Sequence, residues 1–199
     1  KTLGVKGESL GNVHFAIDYL ANPDAHDLGQ TVAIIGAGNA AMDVARTVLR
    51  HGATKVTLFE RGRTSAASER ELSYAMIDGA DIVYCKDTVE ITDDGPVFRD
   101  IYYDEEENIT GFSSEHELYR ADSTIVSISQ RPKDKLVNTT KGLEANDSGQ
   151  LITNEDGETT CRGIFASGDV VRGAKTVVEA VAYSKHVADA MDAYMRGLD

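Results

Sequence analysis

"TVAIIGAGNAAMDVARTVLRHG", Thr31 to Gly52, decides the fold. An apolar run of strand length ends in glycines and passes into a helical pattern. There Ala41, Val44, Ala45, Val48 and Leu49 recur on one face, and Gly52 closes the helix. The junction "GAGNAA" is a G-x-G-x-x-A loop. Gly36 permits a tight turn, Gly38 lets the backbone approach a pyrophosphate with no Cβ in the way, and Ala41 lets helix and strand pack closely. The free N–H groups and positive dipole end of the helix then face the phosphates, so Gly36, Ala37, Gly38, Asn39, Ala40 and Ala41 are the expected contacts. A second strand, "KVTLFE", ends at Glu60, nineteen residues after Ala41, where a carboxylate can accept both hydroxyls of an adenosine ribose.

Further along, a helix is expected in "SERELSYAMIDG" and a third strand in "DIVYC". Strand, helix, strand, helix, strand with short connections is the pattern of a right-handed parallel sheet, a Rossmann-like α/β fold. After Cys85 the period becomes antiparallel. "TVEIT", "VFRDIYY" and "ITGFSSEHELY", parted by "DDGP" and "DEEEN", predict a three-stranded β-meander laid over the parallel sheet, and "STIVSIS" from Ser123 is again a buried strand. A hairpin is expected at "NEDGE" and a long amphipathic helix from Thr176 to Arg196. Asn12 to Leu20 reads as a short helix ended by Pro23 and Gly29. The domain boundaries that follow are a lead-in or linker over 1–30, a nucleotide-binding domain over 31–128 and a further segment over 129–199.

The 199 residues carry a formal charge of −13, from 33 acidic and 20 basic side chains, which repels a phosphate backbone or an anionic membrane. Neither nucleic acid nor a membrane is an expected partner. The first residues, "KTLGVKGESLG", have no apolar signal core, and a cytoplasmic location is the expectation. Cys85 and Cys161 are isolated, so no metal knuckle or C-x-x-C redox pair is expected. "GESLG", Gly7 to Gly11, matches the G-x-S-x-G nucleophile elbow, but no strong strand precedes Ser9, and it reads as a loop residue. The five histidines lack metal-ligand spacing, and no metal site is predicted.

"GAGNAAMDVARTVLRHGA-KVTLFER" closely resembles the nicotinamide-binding segment of the glutamate synthase small (beta) subunit and its relatives, the pyridine nucleotide–FAD oxidoreductases. The resemblance resumes at "SISQRP", similar to the family's strand-end Gly-Gln-x-Pro loop with Ser129 in the glycine's place. It closes with "GIFASGDVVRGAKTVVEAVAYSKHVADAM", similar to the family's second flavin motif. By that resemblance Gln130 joins the cofactor contacts. Gly168 and Asp169 correspond to the flavin ribityl and phosphate contacts, and the helix starting near Thr176 to one aimed at the isoalloxazine. Residues 129–199 are then the C-terminal segment of an incomplete FAD-binding domain.

The resemblance implies hydride transfer from NAD(P)H to FAD, with electrons passing on to an iron–sulfur or partner-subunit acceptor. The flavin performs the chemistry, and no catalytic acid or base is named. The first flavin-binding loop and the cluster cysteines have no counterpart in this sequence, and Lys1 stands where Met would open a chain. The expectation is a piece of a longer enzyme, whose partners are a missing N-terminal FAD and iron–sulfur region and a large catalytic subunit. Alone, it is expected to lack FAD and to be inactive. A ferredoxin or pyrimidine reductase subunit of the same family is the alternative, as is a redox-inactive nucleotide sensor, against which the retained Asp169 speaks. Family members with a Tyr-Arg-Arg stretch at the second strand's end hold the 2′-phosphate of NADPH there. Here Glu60, Arg61 and Gly62 replace it, followed by Arg63. The fixed acid favours NADH, while Arg61 and Arg63 pull toward NADPH.

Overall fold

The structure, a computed structural model, describes residues 2–128 and 135–197. The chain divides into two compact units, Lys1–Ser129 and Gln130–Asp199.

In the first unit, β1 (Val13–Phe15), β2 (Thr31–Ile35), β3 (Lys55–Phe59), β4 (Asp81–Val83) and β9 (Ser123–Val126) form a parallel sheet in the order β1-β9-β2-β3-β4. Helices α1 (Ala16–Ala21), α2 (Asn39–Arg50) and α3 (Glu69–Asp78) cover one face. The period of two along each strand sorts the core. Val32, Ile34, Val56, Leu58 and Ile125 turn toward the helices, where Ala41, Val44, Ala45 and Val48 meet them. Ala33, Ile35, Phe59 and Val126 turn to the other face, against Ile91, Phe98 and Ala121. That second layer is the antiparallel sheet of β5 (Lys86–Thr92), β6 (Gly95–Tyr103), β7 (Ile109–Phe112) and β8 (Glu117–Leu118). Phe59 stacks on Phe98 with ring centroids 4.1 Å apart, which ties the two layers together.

The sequence expectations hold for the strand-loop-helix of β2 and α2, for β3, for α3 and for the meander. Two elements differ. The helix expected from Asn12 begins as strand β1, because Val13, His14 and Phe15 pair in parallel with Thr124, Ile125 and Val126. Residues read as a lead-in thus supply an edge strand, and Ala16 and Tyr19 of α1 join the core. The third meander strand is broken: β7 pairs with Ile101–Tyr103 and β8 with Val97 and Phe98 of the same strand β6, while Ser113, whose N–H still donates to Asp100 O at 2.8 Å, and Ser114–His116 fall outside both strands.

In the second unit, α4 (Lys135–Thr139), α5 (Asp169–Arg172) and α6 (Val177–Arg196) are joined by irregular chain carrying isolated bridges, including Thr153 to Thr159 across the expected "NEDGE" turn. Within "GIFAS", strand pairing amounts to one bridge between Glu158 and Phe165. Gly157, at φ +80°, lies so close to α6 that a Cβ there would stand 2.5 Å from Val187 Cγ2. Among the described residues no helix is long and apolar enough to cross a membrane.

Candidate functional site

The sheet order places β9 and β3 on opposite sides of β2, so the chain reverses direction across the sheet between β2 and β9. In open parallel sheets, ligands sit in the crevice outside the carboxyl ends of the strands at such a point. Gly36 to Asn39 lie there. Gly36 is at φ +110°, and a Cβ on it would stand 2.4 Å from the carbonyl oxygen of Ser127, just past β9. Gly36 is therefore required by the fold itself: the turn touches the neighbouring strand and leaves no room for a side chain.

Gly38 is different. It is the N-cap of α2 at φ −84°, an ordinary extended conformation, and a Cβ there would meet nothing within 4 Å. No side chain among the described residues caps the helix. The amides of Ala41 and Met42 both return to Gly38 O, while those of Gly38, Asn39 and Ala40 have no acceptor among the described residues. Asn39 and Ala40 are exposed. Unpaired, solvent-facing N–H groups at the positive end of a twelve-residue helix, beside open space where a side chain would normally stand, fit a pyrophosphate. A further orphan lies beside the turn: Ser127 Oγ is buried and has no partner among the described residues.

Glu60 is fastened to this turn. One carboxylate oxygen accepts the Ala37 N–H at 2.9 Å and the other accepts the Gly62 N–H at 3.0 Å. A carboxylate has about four acceptor positions, so two stay open to hydroxyl donors. The loop before α3 braces the turn from outside. Ser65 Oγ donates to Ala37 O at 2.6 Å, and Asn39 Oδ1 accepts the Ser68 N–H at 2.8 Å.

Arg61 and Arg63 are exposed and both are engaged with the meander. Arg61 Nε lies 3.1 Å from Asp87 Oδ1 on β5. Arg63 donates to Tyr103 O at 3.4 Å, with its guanidinium 5.5 Å from the centre of the Tyr103 ring. The Tyr103 hydroxyl donates to Arg61 O. Desolvation, and after it the nearby Cys85, raises the Tyr103 phenol above its ordinary value, which keeps this donor protonated.

The structure thus brings together Gly36, Ala37, Gly38, Asn39, Ala40, Ala41 and Glu60, with Arg61 and Arg63 alongside. Gln130 lies outside the described residues. The second unit carries the other three predicted positions. Gly168, at φ +73°, is the N-cap of the short α5, and Asp169 begins it. Thr176 is the N-cap of α6 in a capping box, accepting from Glu179 N while Glu179 Oε2 accepts from Thr176 N. Asp169, Thr176, Val177, Val181 and Ser184 are among the residues lining an open groove of about 510 Å³ along that helix.

The profile of the pyridine nucleotide-disulphide oxidoreductases matches residues 1–184. The chain belongs to this family. Among relatives, it is 29% identical to the glutamate synthase [NADPH] small chain of Halomonas elongata, over 96% of this chain and 47% of that one. It is 27% identical to the NAD-dependent dihydropyrimidine dehydrogenase subunit PreT of Salmonella typhimurium, over 94% of this chain and 43% of that one. This member of the pyridine nucleotide-disulphide oxidoreductases therefore spans about half the length of such relatives. The thioredoxin reductase of T. acidophilum superposes with a TM-score of 0.74 at 19% identity, covering all of this chain and 63% of that one, a likeness of fold.

Three side chains at the site escaped the sequence reading: Ser65, Asp87 and Ser127. Ser127 had a usable signal, since it directly follows the strand beside β2 at the sheet's reversal point. Ser65 and Asp87 had none, because their contacts come from loops and strands remote in sequence.

Proposed function

We infer that the first unit binds the nicotinamide nucleotide of a flavin-dependent oxidoreductase, and that the second supplies flavin-facing residues, Gly168, Asp169 and Thr176. The carrying observation is the Gly38–Ala40 amide cluster, open and without an acceptor among the described residues. These amides hold the pyrophosphate, and Glu60, held in place by the Ala37 and Gly62 N–H groups, accepts the adenosine ribose hydroxyls with its free lone pairs. Bound FAD supplies the acceptor for a hydride from the reduced nicotinamide. The chain's own part is binding and orientation, and no side chain is assigned proton transfer.

NADH is the favoured nucleotide. A 2′-phosphate beside Glu60 would set like charges together in a partly desolvated place. In the longer parent protein, electrons pass to an iron–sulfur or partner-subunit acceptor of the glutamate synthase small-subunit type. The likeness to a dihydropyrimidine dehydrogenase subunit supports a pyrimidine-reducing acceptor as the second reading. Calorimetric titration of the protein with NADH and NADPH tests the nucleotide assignment: saturable binding, tighter for NADH, is expected, and failure to bind either overturns it.

A further inference from the structure

Asp87 is a half-buried carboxylate, its side chain 14% exposed, placed between two guanidinium groups. Its Oδ1 faces Arg61 Nε at 3.1 Å, and its Oδ2 accepts from Arg99 Nε at 2.9 Å and Nη2 at 2.7 Å. Arg99 has a second anchor, its guanidinium lying 4.1 Å from the centre of the Phe112 ring. Arg61 has no second ion pair among the described residues, and its side chain is 60% exposed. It follows Glu60 directly in sequence, on the loop that leaves β3.

We propose that Asp87 is a specificity-determining positioning residue: by pinning Arg61 to β5 it denies the adenosine 2′ position a forked cationic donor, and so sets the preference for an unphosphorylated ribose. The inference rests on nucleotide binding at Gly38–Ala40 and Glu60. Removing the charge at Asp87 leaves two guanidinium groups facing one another without a counter-ion. Arg99 stays on Phe112, and Arg61 is the group that leaves. A guanidinium released beside the ribose pairs with a phosphate in a forked, charge-assisted contact that an unphosphorylated ribose does not offer.

Dissociation constants for NADH and NADPH are measured by calorimetry on the parent protein, Asp87→Asn, Asp87→Glu and the double variant Asp87→Asn with Arg61→Ala. Asp87→Asn shifts the ratio of the two constants toward NADPH by about tenfold, equivalent to about 1.4 kcal/mol. Asp87→Glu restores the original ratio, and the double variant abolishes the shift. A merely structural role for Asp87 would weaken both nucleotides in parallel and leave the ratio where it was, which overturns the proposal. So does a shift that persists without Arg61. Should Asp87→Asn fail to fold, Arg61→Ala alone decides, because a pinned arginine contributes nothing to the ratio and its loss changes it by less than about twofold. A larger drop in relative NADPH affinity means that Arg61 already reaches the ligand, and the proposal falls. If the unaltered protein binds neither nucleotide, it is the nucleotide-site reading that fails.

Discussion

Two glycines with one residue between them, Gly36 and Gly38, separate what the turn needs to fold from what it needs to bind. At Gly36 an alanine methyl would stand 2.4 Å from Ser127 O, a backbone atom that cannot swing aside, at a φ of +110°. Backbone strain of about 1–3 kcal/mol and overpacking of about 1–3 kcal/mol put the cost of Gly36→Ala at about 2–6 kcal/mol of stability. At Gly38 the same methyl meets open space, and φ −84° suits any residue. Gly38→Val therefore costs the fold only the cap preference, under about 1 kcal/mol. Its branched side chain fills the space beside the free amides of Gly38, Asn39 and Ala40. Losing one to two charge-assisted hydrogen bonds costs about 3 kcal/mol, which weakens dinucleotide binding roughly 150-fold. Urea denaturation and calorimetric titration with NADH on both variants measure the two costs. Equal NADH affinity for Gly38→Val and the parent would refute a pyrophosphate at this turn. A Gly38→Val protein as unstable as Gly36→Ala would refute the open space.

Thr176→Ala removes the side-chain half of the α6 capping box, the acceptor for the Glu179 N–H, and is expected to cost about 1 kcal/mol, read as a lower urea midpoint with fraying at Val177–Glu179 in hydrogen exchange. Burial, and then the neighbouring His26, holds His14 below its ordinary value of about 6.5. The unfolded chain therefore binds more protons between the lowered value and about 6.5, so this contribution to stability is full above that window and is lost as the pH falls through it. Replacing His14 by Gln flattens the pH dependence of the urea midpoint there; an unchanged slope would show that His14 does not carry it. Tyr119→Phe leaves Thr57 Oγ1, 2.7 Å from the Tyr119 hydroxyl, without that partner in a residue only 4% exposed, and is expected to cost about 1 kcal/mol in the same denaturation assay.

What the sequence made legible is what local rules control. β2 and α2 were readable because an apolar run, two glycines and a 3.6-residue period stand in direct succession, and α6 because its amphipathic pattern runs unbroken over a long stretch. β1 was not, since Val13–Phe15 become a strand only by pairing with Thr124–Val126, more than a hundred residues on. The break between β7 and β8 was hidden for a related reason: their residues keep an extended, alternating pattern, and only the shared partner β6 shows where pairing lapses.

At the candidate site the spacing from Ala41 to Glu60 was visible, and so was the acid itself. That both Glu60 oxygens are already occupied by Ala37 and Gly62 N–H groups was not, because hydrogen-bond partners of a side chain depend on the path of the turn around it. The arginines show the same limit. Arg61 and Arg63 read as charges that pull toward NADPH, whereas the meander supplies Asp87 and Tyr103 as their partners. Their weight against Glu60 is decided by contacts between β5, β6 and the loop after β3.

Nuclear magnetic resonance of the ¹⁵N-labelled protein during an NADH titration tests nucleotide binding at the turn most directly, because the groups assigned to the pyrophosphate are backbone amides. Saturable shifts are expected to be largest at Gly38, Asn39 and Ala40, with a second set at Ala37 and Gly62, whose N–H groups hold Glu60. An absence of saturable shifts, or saturable shifts confined to residues outside the Gly36–Ala41 turn and the Glu60 loop, would contradict it.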